Sequence, residues 1–180
     1  MNNSKIILYT GRRGAGKTLT MVRDAYKYYL NNWKIITNMT SLVFGEKMEG
    51  EEILKIDKSS DLNNCILVFD EIQIYFDSRS FGSKKNKTFS NFIQQIRKRN
   101  IILLVTTQYL NTIEKRLRQH IDIEVYPDYI EKYPICKATY IDITSLENNI
   151  LETLKEPKST TTIYDPLPIF KLFKTEEIIA

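Results

Sequence analysis

Residues Gly11-Arg12-Arg13-Gly14-Ala15-Gly16-Lys17-Thr18 fill every fixed position of G-x-x-x-x-G-K-[ST], a pattern whose chemistry is the holding of phosphate groups. Glycines allow a tight turn, and a helix beginning at that turn leaves its first backbone N–H groups unpaired around one point. The Lys17 ammonium adds a charge suited to the β- and γ-phosphates of a nucleoside triphosphate, and the Thr18 hydroxyl is a ligand type that Mg²⁺ accepts. All eight residues from Gly11 to Thr18 are therefore candidate nucleotide-binding residues.

A second constellation decides what the phosphates are for. Cys65-Ile66-Leu67-Val68-Phe69 is an unbroken apolar run, suited to the central strand of a parallel sheet covered on both faces, and it ends in Asp70-Glu71. The carboxyl ends of such strands face the ligand. Asp70 is expected to share Mg²⁺ with Thr18, and Glu71 to orient and partly deprotonate a water aimed at the γ-phosphorus. Adjacent carboxylates resist joint ionisation unless a cation compensates them, which Mg²⁺ does. Water as acceptor means hydrolysis. Gln108, at the end of Leu103-Leu104-Val105-Thr106-Thr107, is the candidate sensor of the γ-phosphate and the attacking water. Phosphoryl transfer also calls for a guanidinium, frequently from an adjacent subunit; Arg97 and Arg99 are the first candidates, followed by Arg116 and Arg79. No N/T-K-x-D-like segment offers a guanine-reading aspartate, so ATP is the default nucleotide.

The elements that must position these groups follow from periodicity. Ile6–Tyr9 reads as the first strand, and Leu19, Val22, Ala25, Tyr26 and Tyr29 predict a helix over 18–30. Strands are expected over 34–38, 65–69 and 101–105, with an irregular excursion over 40–62 that carries weak strand signal near 52–56. A polar loop over 77–88 precedes a helix marked by Phe89, Phe92, Ile93 and Ile96; Ile113 and Leu117 mark another. Residues 121–125 and 138–143 are expected as strands joined through 126–134, an antiparallel hairpin at the sheet edge. The fold class is therefore α/β, a mostly parallel central sheet flanked by helices. Residues 1–156 form the core, and 157–180 a linker and docking segment of the same domain, with the Thr- and Pro-rich 157–168 exposed and Ile169–Phe173 apolar enough to dock on the core or on a neighbouring subunit.

Composition narrows the class. A chain of 180 residues with 42% hydrophobic content supports one substantial core. Net charge is +4, a weak bias toward polyanions, but its placement is informative: Lys84, Lys85 and Lys87 cluster in the polar loop that follows the carboxylate pair and are candidate DNA-phosphate contacts. Arg97-Lys98-Arg99 and Lys115-Arg116-Arg118 are further clusters. Cys65 and Cys136 are too few and too far apart for a disulfide framework and fit a reducing cytoplasm. A single histidine, His120, argues against histidine-based zinc chemistry. No signal-peptide pattern is seen, and no apolar run reaches the roughly 18 residues of a membrane span.

Taken together, the phosphate loop, the strand Ile66–Glu71 and the strand Leu103–Gln108 resemble the FtsK/HerA-like P-loop ATPases, most nearly the small genome-packaging ATPases of viruses with an internal membrane, with Zot-like phage assembly ATPases close by. Lys34-Ile35-Ile36-Thr37-Asn38, the basic turn Ile96-Arg97-Lys98-Arg99-Asn100 and Leu172-Phe173-Lys174-Thr175-Glu176-Glu177 are similar to segments of the same group. The resemblance implies a RecA-like core, a homo-oligomeric ring (usually a hexamer) and ATP hydrolysis driving double-stranded DNA through its centre. It further implies Glu71 as catalytic carboxylate, Gln108 as sensor and a basic-turn arginine as the finger acting in trans. Capsid or membrane-protein portal components would be partners, in the cytoplasm of an infected cell or on the virion. A Zot-like assembly or secretion ATPase and a small P-loop kinase are the competing readings.

Overall fold

The computed structural model describes residues 4–55, 62–75, 83–113, 115–144 and 157–174. In chain order the elements are β1 (Lys5–Thr10), α1 (Lys17–Leu30), β2 (Lys34–Thr37), β3 (Glu46–Lys47), α2 (Gly50–Leu54), β4 (Cys65–Phe69), α3 (Ser83–Lys98), β5 (Ile102–Thr107), α4 (Lys115–Arg118), β6 (Ile123–Ile130), β7 (Ile135–Asp142), β8 (Ser159–Tyr164) and α5 (Leu167–Phe170). The strands make one sheet in the order β3-β2-β4-β5-β1-β6-β7-β8. From β3 to β6 every pairing is parallel, and β6-β7-β8 is an antiparallel meander. The expected RecA-like α/β architecture with an antiparallel edge is what the chain adopts.

Strand alternation builds two cores from one sheet. Ile6 and Leu8 of β1 pack on one face with Leu67 and Phe69 of β4 and with Phe92 and Ile96 of α3. Ile7 and Tyr9 pack on the other with Val68 and with Leu19, Val22 and Ala25 of α1. Every residue of β4 and β5 is buried, which is why both read as continuous apolar runs.

Several expectations need correcting. The excursion over 40–62 contains β3 and then the helix α2, not a strand near 52–56; Glu51 and Glu52 in its first turn favour helix, and Ile53 is fully buried. Residues 56–61 lie outside the described residues. The loop expected over 77–88 is already helical from Ser83: the polar stretch 83–88 lacks periodicity but also lacks Gly or Pro, so it extends a helix anchored by Phe92 and Ile96. β6 continues to Ile130, leaving only residues 131–134 as the turn, and its start also pairs in parallel with β1 (Ile7 with Ile123). The supposed linker over 157–168 carries β8, an edge strand pairing Ser159 with Ile141 and Tyr164 with Cys136. Its run of threonines suits a half-exposed pleated surface. The helix around Ile113 and Leu117 is a single turn, α4. Ile169–Phe173 docks on its own chain, with Phe173 buried in the α1-side core.

Candidate active site

Polar residues at the carboxyl ends of the parallel strands converge on the start of α1. The phosphate loop leaves β1 at Thr10 and turns through Gly14 (φ +78°) and Gly16 (φ +87°), left-handed conformations that disfavour a side chain. Gly16 is constrained twice, because a Cβ there would lie 3.2 Å from Tyr129 Cβ and 3.3 Å from Cys136 Sγ. Lys17 curls across the loop and donates from Nζ to the Arg12 carbonyl at 3.1 Å. Burial lowers the Lys17 pKa, while Glu71 and Asp70 act to raise it.

Asp70 is held from three sides. Its backbone N–H donates to Asn38 Oδ1 at 2.9 Å, and Asn38 Nδ2 donates to its carbonyl at 3.1 Å. Its side chain accepts from the Thr106 hydroxyl, and Thr18 Oγ1 stands 3.1 and 3.3 Å from the two carboxylate oxygens. Burial raises the Asp70 pKa to about 6; the Thr106 hydrogen bond opposes this, and neighbouring Glu71 adds to it. Thr106 has a second task, accepting the Glu71 N–H at 2.8 Å. Glu71 itself has φ +55°, an uncommon conformation for a residue with a side chain, costing of order 1 kcal/mol. Its carboxylate is clasped by Gln73 Nε2 on one oxygen and by Gln108 Nε2, at 3.4 Å, on the other.

A hard cation fits here. A buried carboxylate whose proton affinity is raised beside a hydroxyl is a donor pair that Mg²⁺ completes with phosphate and water oxygens. Thr18 and Asp70 would hold the ion, which would neutralise phosphate charge. Among the described residues no cluster of three or more His, Cys, Asp or Glu forms a separate metal site. The cleft has a volume of about 710 Å³. Arg13, Gly14, Gly16, Lys17 and Thr18 line one wall, and Asp70, Glu71 and Gln108 its floor. Tyr129, Glu131, Phe170 and Phe173 also line it, with Leu19 and Ile74.

The structure therefore brings together the phosphate loop, Thr18, Asp70, Glu71 and Gln108. It does not bring Arg97 or Arg99 to them. Arg97 pairs with Asp122 (2.9 Å) and donates to the carbonyls of Ser4 (3.1 Å) and His120 (3.0 Å), at the amino end of β1. At about 3.3 Å per residue that is ~20 Å from the phosphate loop. Arg99 donates from Nε to Gln95 Oε1 at 3.0 Å, near the amino end of β4. Arg116 lies on α4, and Arg79 lies outside the described residues. Lys84, Lys85 and Lys87 occupy the first turns of α3 rather than a loop.

Asn38 and Thr106 were missed as site residues. Their common signal is a polar residue directly at the carboxyl end of a buried run. Behind the loop lies a second network that spacing could not reveal. Thr20 Oγ1 donates to the Gly16 carbonyl (2.9 Å) and shares a 2.8 Å hydrogen bond with the Tyr164 hydroxyl, while Arg23 stacks 4.2 Å over the Tyr164 ring. Asp24 accepts from Tyr9 (3.0 Å) and Tyr140 (2.7 Å) and pairs with Arg23 and Lys27. These contacts join α1 to β1, β7 and β8. Burial first, and then Asp24, raise the pKa values of Tyr9 and Tyr140.

Residues 7–129 match the family model described as ATPase family associated with various cellular activities (AAA). The chain belongs to this ATPase family. No match to a curated protein sequence reaches significance. Among solved structures, the AAA chain is similar to the N-terminal domain of zonular occludens toxin from Neisseria meningitidis (TM-score 0.62, 19% identity, covering 95% of this chain and 99% of that one). It is also similar to the genome packaging NTPase B204 of Sulfolobus turreted icosahedral virus 2 in complex with ATP-γ-S (TM-score 0.61, 12% identity, 92% and 99% covered). The pCW3 conjugation coupling protein TcpA is a third (TM-score 0.55, 11% identity, 95% and 65% covered). These likenesses agree with the resemblance read from the motifs and establish the P-loop ATPase fold.

Proposed function

We propose that this AAA chain is the subunit of a ring motor, a hexamer, that couples ATP hydrolysis to the translocation of double-stranded DNA, as in packing a viral genome into a capsid. The observation that carries the hydrolytic part is the Glu71 carboxylate, gripped by Gln73 and Gln108 immediately after the Asp70–Thr18 pair. A carboxylate so oriented can take a proton from water as it attacks, and Gln108 on the next strand links that carboxylate to the state of the γ-phosphate. A kinase has no need of a water-orienting pair of this kind.

Support for DNA comes from charge placement. Lys84, Lys85 and Lys87 fall in the first turns of α3, and that first turn carries no acidic residue. Three lysines within four residues offer the charge that a phosphate backbone attracts, each neutralised phosphate adding sequence-independent binding. The fold it shares with a packaging NTPase and a conjugation coupling protein points the same way. The guanidinium for the transferring phosphoryl group comes, in this reading, from a neighbouring subunit, since Arg97 and Arg99 stand away from their own phosphate loop. Such a motor works in the cytoplasm of an infected cell, against a capsid or a membrane-protein portal.

ATPase rate measured against protein concentration, with and without linear duplex DNA, tests the proposal. Cooperative dependence and DNA stimulation are expected; Glu71→Gln should bind ATP without turnover, and Lys17→Ala should lose tight binding. A wild-type rate in Glu71→Gln would refute the assignment of the water-activating group. The likeness to the zonular occludens toxin domain favours a second reading, a morphogenesis ATPase acting on protein. Cooperative turnover indifferent to DNA would select it.

A further inference from the structure

We infer that β6 and the C-terminal segment together supply the nucleobase platform of the ATP site, with a purine ring seated against Tyr129 of β6 and Phe170 of α5. The inference rests on the ATP-binding reading of the phosphate loop. The loop, Lys17 and the carboxylates account for the triphosphate end of the cleft. They leave the part lined by Tyr129 and Phe170, continuous with the phosphate wall, without an assigned ligand group. These two rings meet edge to face, with centroids 5.8 Å apart and planes at 75°, and both are half-buried. Half-buried aromatic rings beside a charged cleft offer an apolar surface suited to a flat ring, and a base stacks on such a ring with little regard to its hydrogen-bond pattern.

Position is what makes them more than incidental core residues. The Tyr129 N–H donates to the Ala15 carbonyl at 3.1 Å, so the ring is tied to the phosphate loop itself. Gly16 lacks the Cβ that would press against Tyr129. Phe170 is fixed from the other side: Val43 N–H donates to the Leu172 carbonyl at 2.8 Å, Lys174 N–H donates to Ser41 Oγ at 3.1 Å, and Phe173 is buried. The platform is therefore built before any ligand arrives, with Tyr129 and Phe170 drawn from chain segments 41 residues apart that no sequence motif joins.

The test compares MgATP with magnesium tripolyphosphate, a probe that carries the phosphates and no base, by titration calorimetry. The wild-type chain should bind ATP at least about tenfold more tightly than tripolyphosphate. Phe170→Leu and Tyr129→Leu keep apolar volume while removing the aromatic face. Each should weaken ATP binding by about tenfold and leave tripolyphosphate affinity within about twofold, whereas Tyr129→Phe should retain wild-type ATP affinity. Unchanged ATP affinity in both leucine variants would overturn the platform, as would equal weakening for both probes. Failure of the wild-type chain to bind tripolyphosphate would instead refute the phosphate site on which the platform rests.

Discussion

Replacing Asp70 with Asn should stabilise the chain when nucleotide and Mg²⁺ are withheld, by an amount that grows with pH. Asp70 is 8% exposed, and burial lifts its carboxyl from 3.8 to about 6 despite the hydrogen bonds from Thr106 and Thr18. A carboxyl raised in the folded state holds its proton more tightly there than in the unfolded chain. Its contribution to stability is therefore fully present below about pH 4 and is lost as pH rises through about 6. At about 1.4 kcal/mol for each tenfold change in proton affinity, the folded wild-type chain forfeits roughly 3 kcal/mol by neutral pH. Asparagine has no charge to desolvate, can accept from Thr106 through Oδ1 and can donate its amide to the Thr18 hydroxyl. Urea unfolding of both proteins with a chelator present should show stabilities within about 1 kcal/mol near pH 4, and the variant ahead by about 2–3 kcal/mol near pH 8. MgATP should reverse the ranking, because the variant lacks the carboxylate that faces the cation. A wild-type advantage that holds or widens between those pH values without Mg²⁺ would refute the reasoning.

Three further outcomes follow. Asp24→Ala should destabilise the chain by about 3–5 kcal/mol in urea unfolding, since it strands the hydroxyl of fully buried Tyr9 and leaves Arg23 uncompensated. Tyr140→Phe should cost about 1.5–3 kcal/mol alone but little in the Asp24→Ala background, because both changes break the same hydrogen bond. Changing Lys84, Lys85 and Lys87 together to Gln should weaken duplex binding in fluorescence anisotropy and reduce the logarithmic salt slope by about 3. Unchanged affinity at low salt would take these lysines out of the DNA path.

The parts of this site that were legible in the sequence are those fixed by local chemistry. The glycines of the phosphate loop, and a carboxylate pair ending an apolar run, carry their geometry with them, and Lys17, Thr18, Asp70, Glu71 and Gln108 all meet in the fold. What escaped notice depends on contacts between distant segments. Thr106 looks like an ordinary strand residue until β4 and β5 pair and its hydroxyl bridges Asp70 and Glu71. Ser159–Tyr164 resembles a linker because an edge strand with one partner needs no apolar alternation. Arg97 and Arg99 stand out in the sequence by lying immediately before the strand that ends in Gln108. In the fold Arg97 pairs with Asp122 and the backbone at the amino end of β1, away from its own phosphate loop, a placement set by tertiary partners that spacing does not show.

The strand order has a consequence for biosynthesis. β1 is made first but lies between β5 and β6, with Lys5 registered against Ile102 and Ile7 against Ile123. At ~5–20 residues per second, the ribosome leaves this apolar segment without either neighbour for about 5–20 s. Nascent chains are thus sticky for most of their synthesis, and fragments cut short of β6 should precipitate or be captured by chaperones.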